Sequence, residues 1–119
     1  MNPAIFPKAF AGDHVIPGGI ADVLHITQAE LANSLGIPRE AVSKSSRVRT
    51  VSVQTRLREL IEILNRVLPW AGSPLAAYAW YRSQSLPSFG DITPEQLVRD
   101  GRADDVRHYL DRIAAGGFA

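Results

Sequence analysis

Apolar positions recur along this chain at intervals of three and four, the period of a helix with one buried face. Ile20, Val23 and Leu24 follow the turn signal Pro17-Gly18-Gly19 and predict a short first helix. Thr27 and Glu30 stand at capping-box spacing ahead of Leu31, Ala32 and Leu35, and Gly36 supplies the stop. Pro38 then opens a third helix through Arg47, with Ala41 and Val42 facing inward. Leu57, Leu60, Ile61, Leu64 and Leu68 form an unbroken stripe, predicting a long helix over Ser52–Leu68 that Pro69 ends. Ser73 caps a helix entered at Pro74. Thr93, Pro94 and Gln96 start another that Gly101 stops, and Val106, Tyr109, Leu110 and Ile113 mark a last helix over Ala103–Ala115. No segment alternates with the period of a strand. The expected fold class is all-α, a helix-turn-helix bundle followed by a small helical domain.

The ends of this pattern are less regular. Residues 1–16 hold Pro3, Pro7 and Gly12 and keep no period, so they read as an irregular arm with Ile5, Phe6 and Phe10 available to pack on the body. The C-terminal stretch Ala114–Ala119 (AAGGFA) leaves a helix through two glycines and finishes on Phe118 and Ala119, where a frayed terminus is usually polar. Such an end must tuck back, against Trp80, Tyr81 or Tyr109, or be held by a partner.

At 119 residues the chain has room for one domain, or two very small ones sharing a core. With no cysteine, disulfides and thiolate metal sites are excluded. No run approaches the ~20 apolar residues of a membrane span, and the first residues lack a basic start and continuous apolar core. The expected location is cytoplasmic. The net charge of +1 hides an uneven distribution. Arg39, Lys44, Arg47, Arg49, Arg56, Arg58 and Arg66 crowd the middle, between acidic ends. That hints at an anion-binding face.

The segment QAELANSLGIPREAV gives the hint a frame. Gln28, Leu31, Ala32, Leu35, Gly36, Ile37 and Val42 sit at the spacings of a helix-turn-helix. Ala32 is small where two helices cross, Gly36 takes the tight turn, and the other apolar positions lock the second helix on the first. Arg39, Glu40, Ser43, Lys44 and Arg47 then face outward, with types that read base edges and phosphates, and Arg49 follows. Gln28 stands where it can reach a phosphate. Ser45 departs from the pattern, because such motifs usually place a core hydrophobe there. A solvated helical hairpin would share much of this pattern.

Enzymatic readings find little support. His14, His25 and His108 are scattered, and Asp104 and His108, four apart, have no third ligand. Asp104 and Asp105 suit a helix start. Trp70, Tyr78, Trp80 and Tyr81 have Arg82 alone interleaved, so they read as core or partner contacts rather than as a stacking platform for single strands. No catalytic residue, metal or cofactor is expected.

The C-terminal half carries a resemblance. Trp80, Pro87, Pro94, Leu97, Gly101, Val106, Leu110, Ile113, Gly116 and Phe118 follow the pattern of the toxin-binding domain of Xre/MbcA/ParS antitoxins. The likeness is clearest over residues 76–119. It implies an antitoxin that silences a RES-domain toxin, an NAD-consuming or ADP-ribosylating enzyme, and that binds its own operator DNA as a homodimer or within a toxin–antitoxin hetero-oligomer. It implies toxin contacts at Trp80, Leu97, Tyr109, Arg112, Gly116, Gly117, Phe118 and Ala119, with the last residues near the toxin's active site. The expected organisation is an arm at 1–16, a helix-turn-helix module at 17–68 and a toxin-binding domain at 69–119. The alternative is a free-standing helix-turn-helix repressor with a C-terminal dimerisation domain.

Overall fold

A computed structural model of the chain describes residues 6, 9–116. Its elements in order are β1 (Phe10–Ala11), β2 (His14–Val15), α1 (Pro17–Leu24), α2 (Gln28–Leu35), α3 (Glu40–Ser43), α4 (Ser45–Val48), α5 (Val51–Ala71), α6 (Pro74–Ser83), α7 (Pro94–Arg99) and α8 (Ala103–Ala114). A 3-10 turn at Pro87–Phe89 joins α6 to α7. The protein is predominantly all-α, as its periodicity predicts.

The spine is α5. Leu57, Leu60, Ile61 and Leu64 on its stripe are all 0 % exposed, and Val53, Ile63 and Val67 widen the buried face. Leu68 is half-buried. Packed around this spine, α1 touches α6, α2 touches α7, and α8 lies along α5. The buried side chains of both halves form a single cluster. Ion pairs fasten the outer edge of α8 to α5: Arg107 to Glu62 at 2.9 Å and Arg66 to Asp111 at 2.7 Å.

The expected caps form. The hydroxyls of Thr27, Ser73 and Thr93 accept the backbone N–H groups of Glu30, Ala76 and Gln96, satisfying donors that a helix start leaves free. Gly36 closes α2 at φ 70°, and a Cβ there would lie 3.1 Å from the Cα of Arg99. Left-handed backbone and close approach of α7 both call for glycine.

Three expectations are corrected. The arm is not wholly irregular, since β1 and β2 pair antiparallel, Phe10 with Val15 and Ala11 with His14. Gly12, at φ 63°, makes the tight turn. Two-residue strands are too short for an alternating pattern to register. What holds them is Gln54 of α5, whose amide accepts from Val15 N–H at 2.8 Å and donates to the carbonyls of Val15 and Val48 at 3.0 and 2.9 Å. Phe6 and Val15 are both 0 % exposed beneath. Of the arm residues expected to pack, Ile5 lies outside the described residues.

The long helix does not end at Pro69. It continues through Ala71 and stops at Gly72, whose N–H returns to the carbonyl of Leu68 at 2.9 Å. A proline in the last turn forfeits one rung rather than a ladder.

The third helix is broken. Lys44 is extended at φ −100°, ψ 119°, so the expected single helix becomes two separate turns, α3 and α4. Ser45 is exposed and gives no apolar anchor to draw the chain onward.

Candidate functional site

Two faces carry the residues singled out in the sequence. The first is aromatic and lies where α5, α6 and α8 meet. Trp80 of α6 stands edge-on to Trp70 of α5, with ring centres 5.5 Å apart and planes at 87°. Its other side tilts against Tyr109 of α8 at 6.5 Å. One turn on, the guanidinium of Arg112 sits 5.7 Å from the Tyr109 ring and 6.0 Å from that of Phe89, and donates to the Ser88 hydroxyl at 3.0 Å. Arg102 approaches Phe89 as well, at 6.0 Å. Quadrupolar rings hold these cations in place without neutralising them. Trp70 is 50 % exposed and Leu75, at the start of α6, 46 %. Large apolar side chains left this open beside ordered arginines have the composition of an interaction surface.

The structure thus brings Trp80, Tyr109 and Arg112 together. Tyr109 is largely buried, and burial pushes its phenol upward while Arg112 opposes that, so the ring meets this face neutral. Gly116, at φ 90°, follows directly on α8. Gly117, Phe118 and Ala119 lie outside the described residues. Leu97 is a correction. It is 0 % exposed, packed in the core with Val98 and Val106, and has no surface to offer a partner. Its regular place in the pattern reflects packing of α7.

Trp70 was read as a core or partner contact but not as part of this face, and Ser88 and Phe89 were missed as members of it. Trp70 follows Pro69, where the predicted helix stopped; extending the helical period three residues would have placed it on α5.

The second face is polar. Gln28, Arg39, Glu40, Ser43, Lys44, Arg47 and Arg49 are all exposed, on or beside α2, α3 and α4. None of the four cations has an acidic partner among the described residues. Val42 and Ala41 turn inward, as expected. The break at Lys44 limits the ordered helix beneath Arg39, Glu40 and Ser43 to the single turn of α3.

The two faces are welded through the interior. Tyr78 O–H donates to Ser34 Oγ at 3.0 Å, Ser34 donates to Glu95 at 2.6 Å, and Arg82 pairs with Glu95 at 3.2 Å. Tyr81 O–H donates to the carbonyl of Ser34 at 3.0 Å. Burial pushes both tyrosines upward, holding them as neutral donors. Elsewhere, Asp104 is engaged by Arg107 at 2.7 Å. Among the described residues no three potential metal ligands converge, and no helix is long and apolar enough to cross a membrane.

An all-α chain with a partly exposed aromatic cluster on one face and a set of exposed cations on another has the anatomy of a binding protein. The chain belongs to the Xre/MbcA/ParS antitoxin family. Residues 55–116 match the model of that family's C-terminal toxin-binding domain. The match starts inside α5 and runs through α8, so it contains the whole aromatic face and leaves out α2, α3 and α4. The protein is accordingly an antitoxin, a regulatory protein whose partner is a toxin. No curated protein and no solved structure matched the chain.

Proposed function

We propose that this antitoxin holds its toxin on the aromatic face of α5, α6 and α8, and that the toxin is of the RES type, an NAD-consuming or ADP-ribosylating enzyme. The observation that carries the first part is the Trp70–Trp80–Tyr109–Arg112 array inside the family-matched segment, in which Trp70 and Arg112 are exposed, Trp80 is half-buried and Tyr109 is buried. Residues Gly116–Ala119, which follow α8, extend the proposed contact toward the toxin's active site. The RES assignment rests on the sequence resemblance. The test is co-expression with the product of the neighbouring gene, scored by growth and by NAD level. The parent chain restores growth, while Trp80→Ala and Arg112→Glu lose that protection at unchanged expression. A neighbour that is harmless in every combination, or full protection by both variants, rejects the reading.

The second element of the proposal is autoregulation, with 17–68 as the DNA-binding module and 69–119 as the toxin-binding module around a shared α5. It is favoured by the unpaired cations Arg39, Lys44, Arg47 and Arg49 on one polar face. With a single turn at α3, affinity comes mainly from phosphates, so it falls steeply with salt. A homodimer or hetero-oligomer pairs two such half-sites. Lys44→Ala and Arg47→Ala weaken binding to the upstream DNA of the operon and leave toxin neutralisation intact. Upstream DNA that is bound no better than unrelated DNA, by parent and variants alike, removes autoregulation and leaves the antitoxin.

A further inference from the structure

A concavity of about 340 Å³ opens beside the polar face and shares Gln28, Ser43 and Arg49 with it. Its walls come from four places in the fold: the β1–β2 hairpin, the start of α1, the start of α2, and the α3–α4 double turn. Its surface is mostly apolar, and Val15, Ile16, Pro17, Val42 and Val48 are among the residues that line it. Ile16 stays 41 % exposed, so this apolar lining is open to solvent. Gln28, Ser43, Ser45 and His14 stand at the rim, and Arg49 supplies a permanent cation. No acidic side chain lines the pocket, and Arg49 has no acidic partner among the described residues. Asp13, 3.7 Å from His14, lines an adjoining depression that His14 and Arg49 also line.

We propose that this pocket binds a small amphipathic carboxylate, its hydrocarbon part against Ile16 and Val48 and its carboxylate at Arg49. The volume falls within the range of small-molecule sites, and apolar walls with a few convergent polar groups are their usual build. An unpaired guanidinium at the mouth selects an anion, and its planar fork matches a carboxylate. The apolar walls decide against a bare phosphate of nucleic acid, which has nothing to bury there. The concave shape, closed by four separate elements, suits a small molecule rather than a helix of a second copy. The proposal stands whether or not the α3–α4 face meets DNA.

Octanoate is the probe, titrated into the full chain while the valine and isoleucine methyl signals are followed by NMR. The methyls of Ile16 and Val48 move and saturate, and octanol binds more weakly. Arg49→Met weakens octanoate at least about tenfold, the scale of losing a charge-assisted contact. Ser45→Phe, at an exposed rim position, blocks the pocket without loss of melting temperature. Methyls that stay in place up to the solubility of octanoate overturn the proposal. So does octanoate binding that Arg49→Met leaves unchanged, a variant that keeps the site falsifiable even if Ser45→Phe misfolds.

Discussion

Ser34 on α2 donates a 2.6 Å hydrogen bond to Glu95 on α7, 61 positions further along the chain. The same hydroxyl accepts from Tyr78 of α6, so one small side chain joins the polar half of the protein to the toxin-binding half. Ser34 is 1 % exposed, and no solvent replaces it.

Ser34→Ala therefore strands a tyrosine hydroxyl and one carboxylate contact in the interior. The expected cost is about 1–3 kcal/mol of stability, the penalty of leaving buried polar groups unpartnered. Denaturant unfolding measures it directly. Unchanged stability would mean that Tyr78 and Glu95 find new partners and the weld is dispensable.

At Gly36 the demand is steric. Alanine must adopt φ 70° and place its Cβ 3.1 Å from the Cα of Arg99, a backbone atom that cannot swing aside. Gly36→Ala is expected to destabilise by more than about 1 kcal/mol. It should also separate α2 from α7, read as faster amide exchange at Arg99. A variant as stable as the parent would show that the turn relaxes without strain.

Glu59 gives a pH dependence with a defined sign. Burial raises its carboxyl above the ordinary value of 4.5, outweighing the opposing fields of Arg107 and Arg56, while Asp104 and Glu62 add to the rise. A group with a raised folded value binds its proton more tightly folded than unfolded. Its contribution is fully present below 4.5 and is lost as the pH climbs through the folded value. Glu59→Gln should thus gain on the parent as pH rises from 4.5 toward neutrality, measured by melting temperature across that window. A difference that shrinks over the same range contradicts the assignment.

Trp70 separates binding from folding. Half exposed and touching Trp80 edge-on, it is expected to contribute about 1 kcal/mol or less to stability, the scale of one aromatic pair. As an anchor on the proposed toxin face it should matter far more. Trp70→Ala is expected to weaken toxin binding by roughly thirtyfold, the scale of an interface hot spot. Calorimetric titration against purified toxin checks it, and parental affinity would move the interface elsewhere.

Much of the fold was legible from local chemistry. Capping hydroxyls at Thr27, Ser73 and Thr93, the glycine at 36 and the stripe from Leu57 to Leu64 each act within a turn or two, and all did so as their patterns required. The spacing of Trp80, Leu97, Val106 and Leu110 sufficed to indicate the family. Other features were settled only by residues distant in sequence. The β1–β2 hairpin exists because Gln54, 39 positions beyond Val15, completes its hydrogen bonds. Ser34 reads as an ordinary helix surface residue until α6 and α7 close over it. Leu97 fits a partner-facing pattern and a core pattern equally well, and burial alone distinguished them. The sequence by itself determined the capped helix starts, the stop at Gly36 and which side turns inward, because those effects are local and additive along the backbone. Only the tertiary structure decided which side chains remain uncovered, as Trp70 and Leu75 do, because exposure depends on what every other element leaves unfilled.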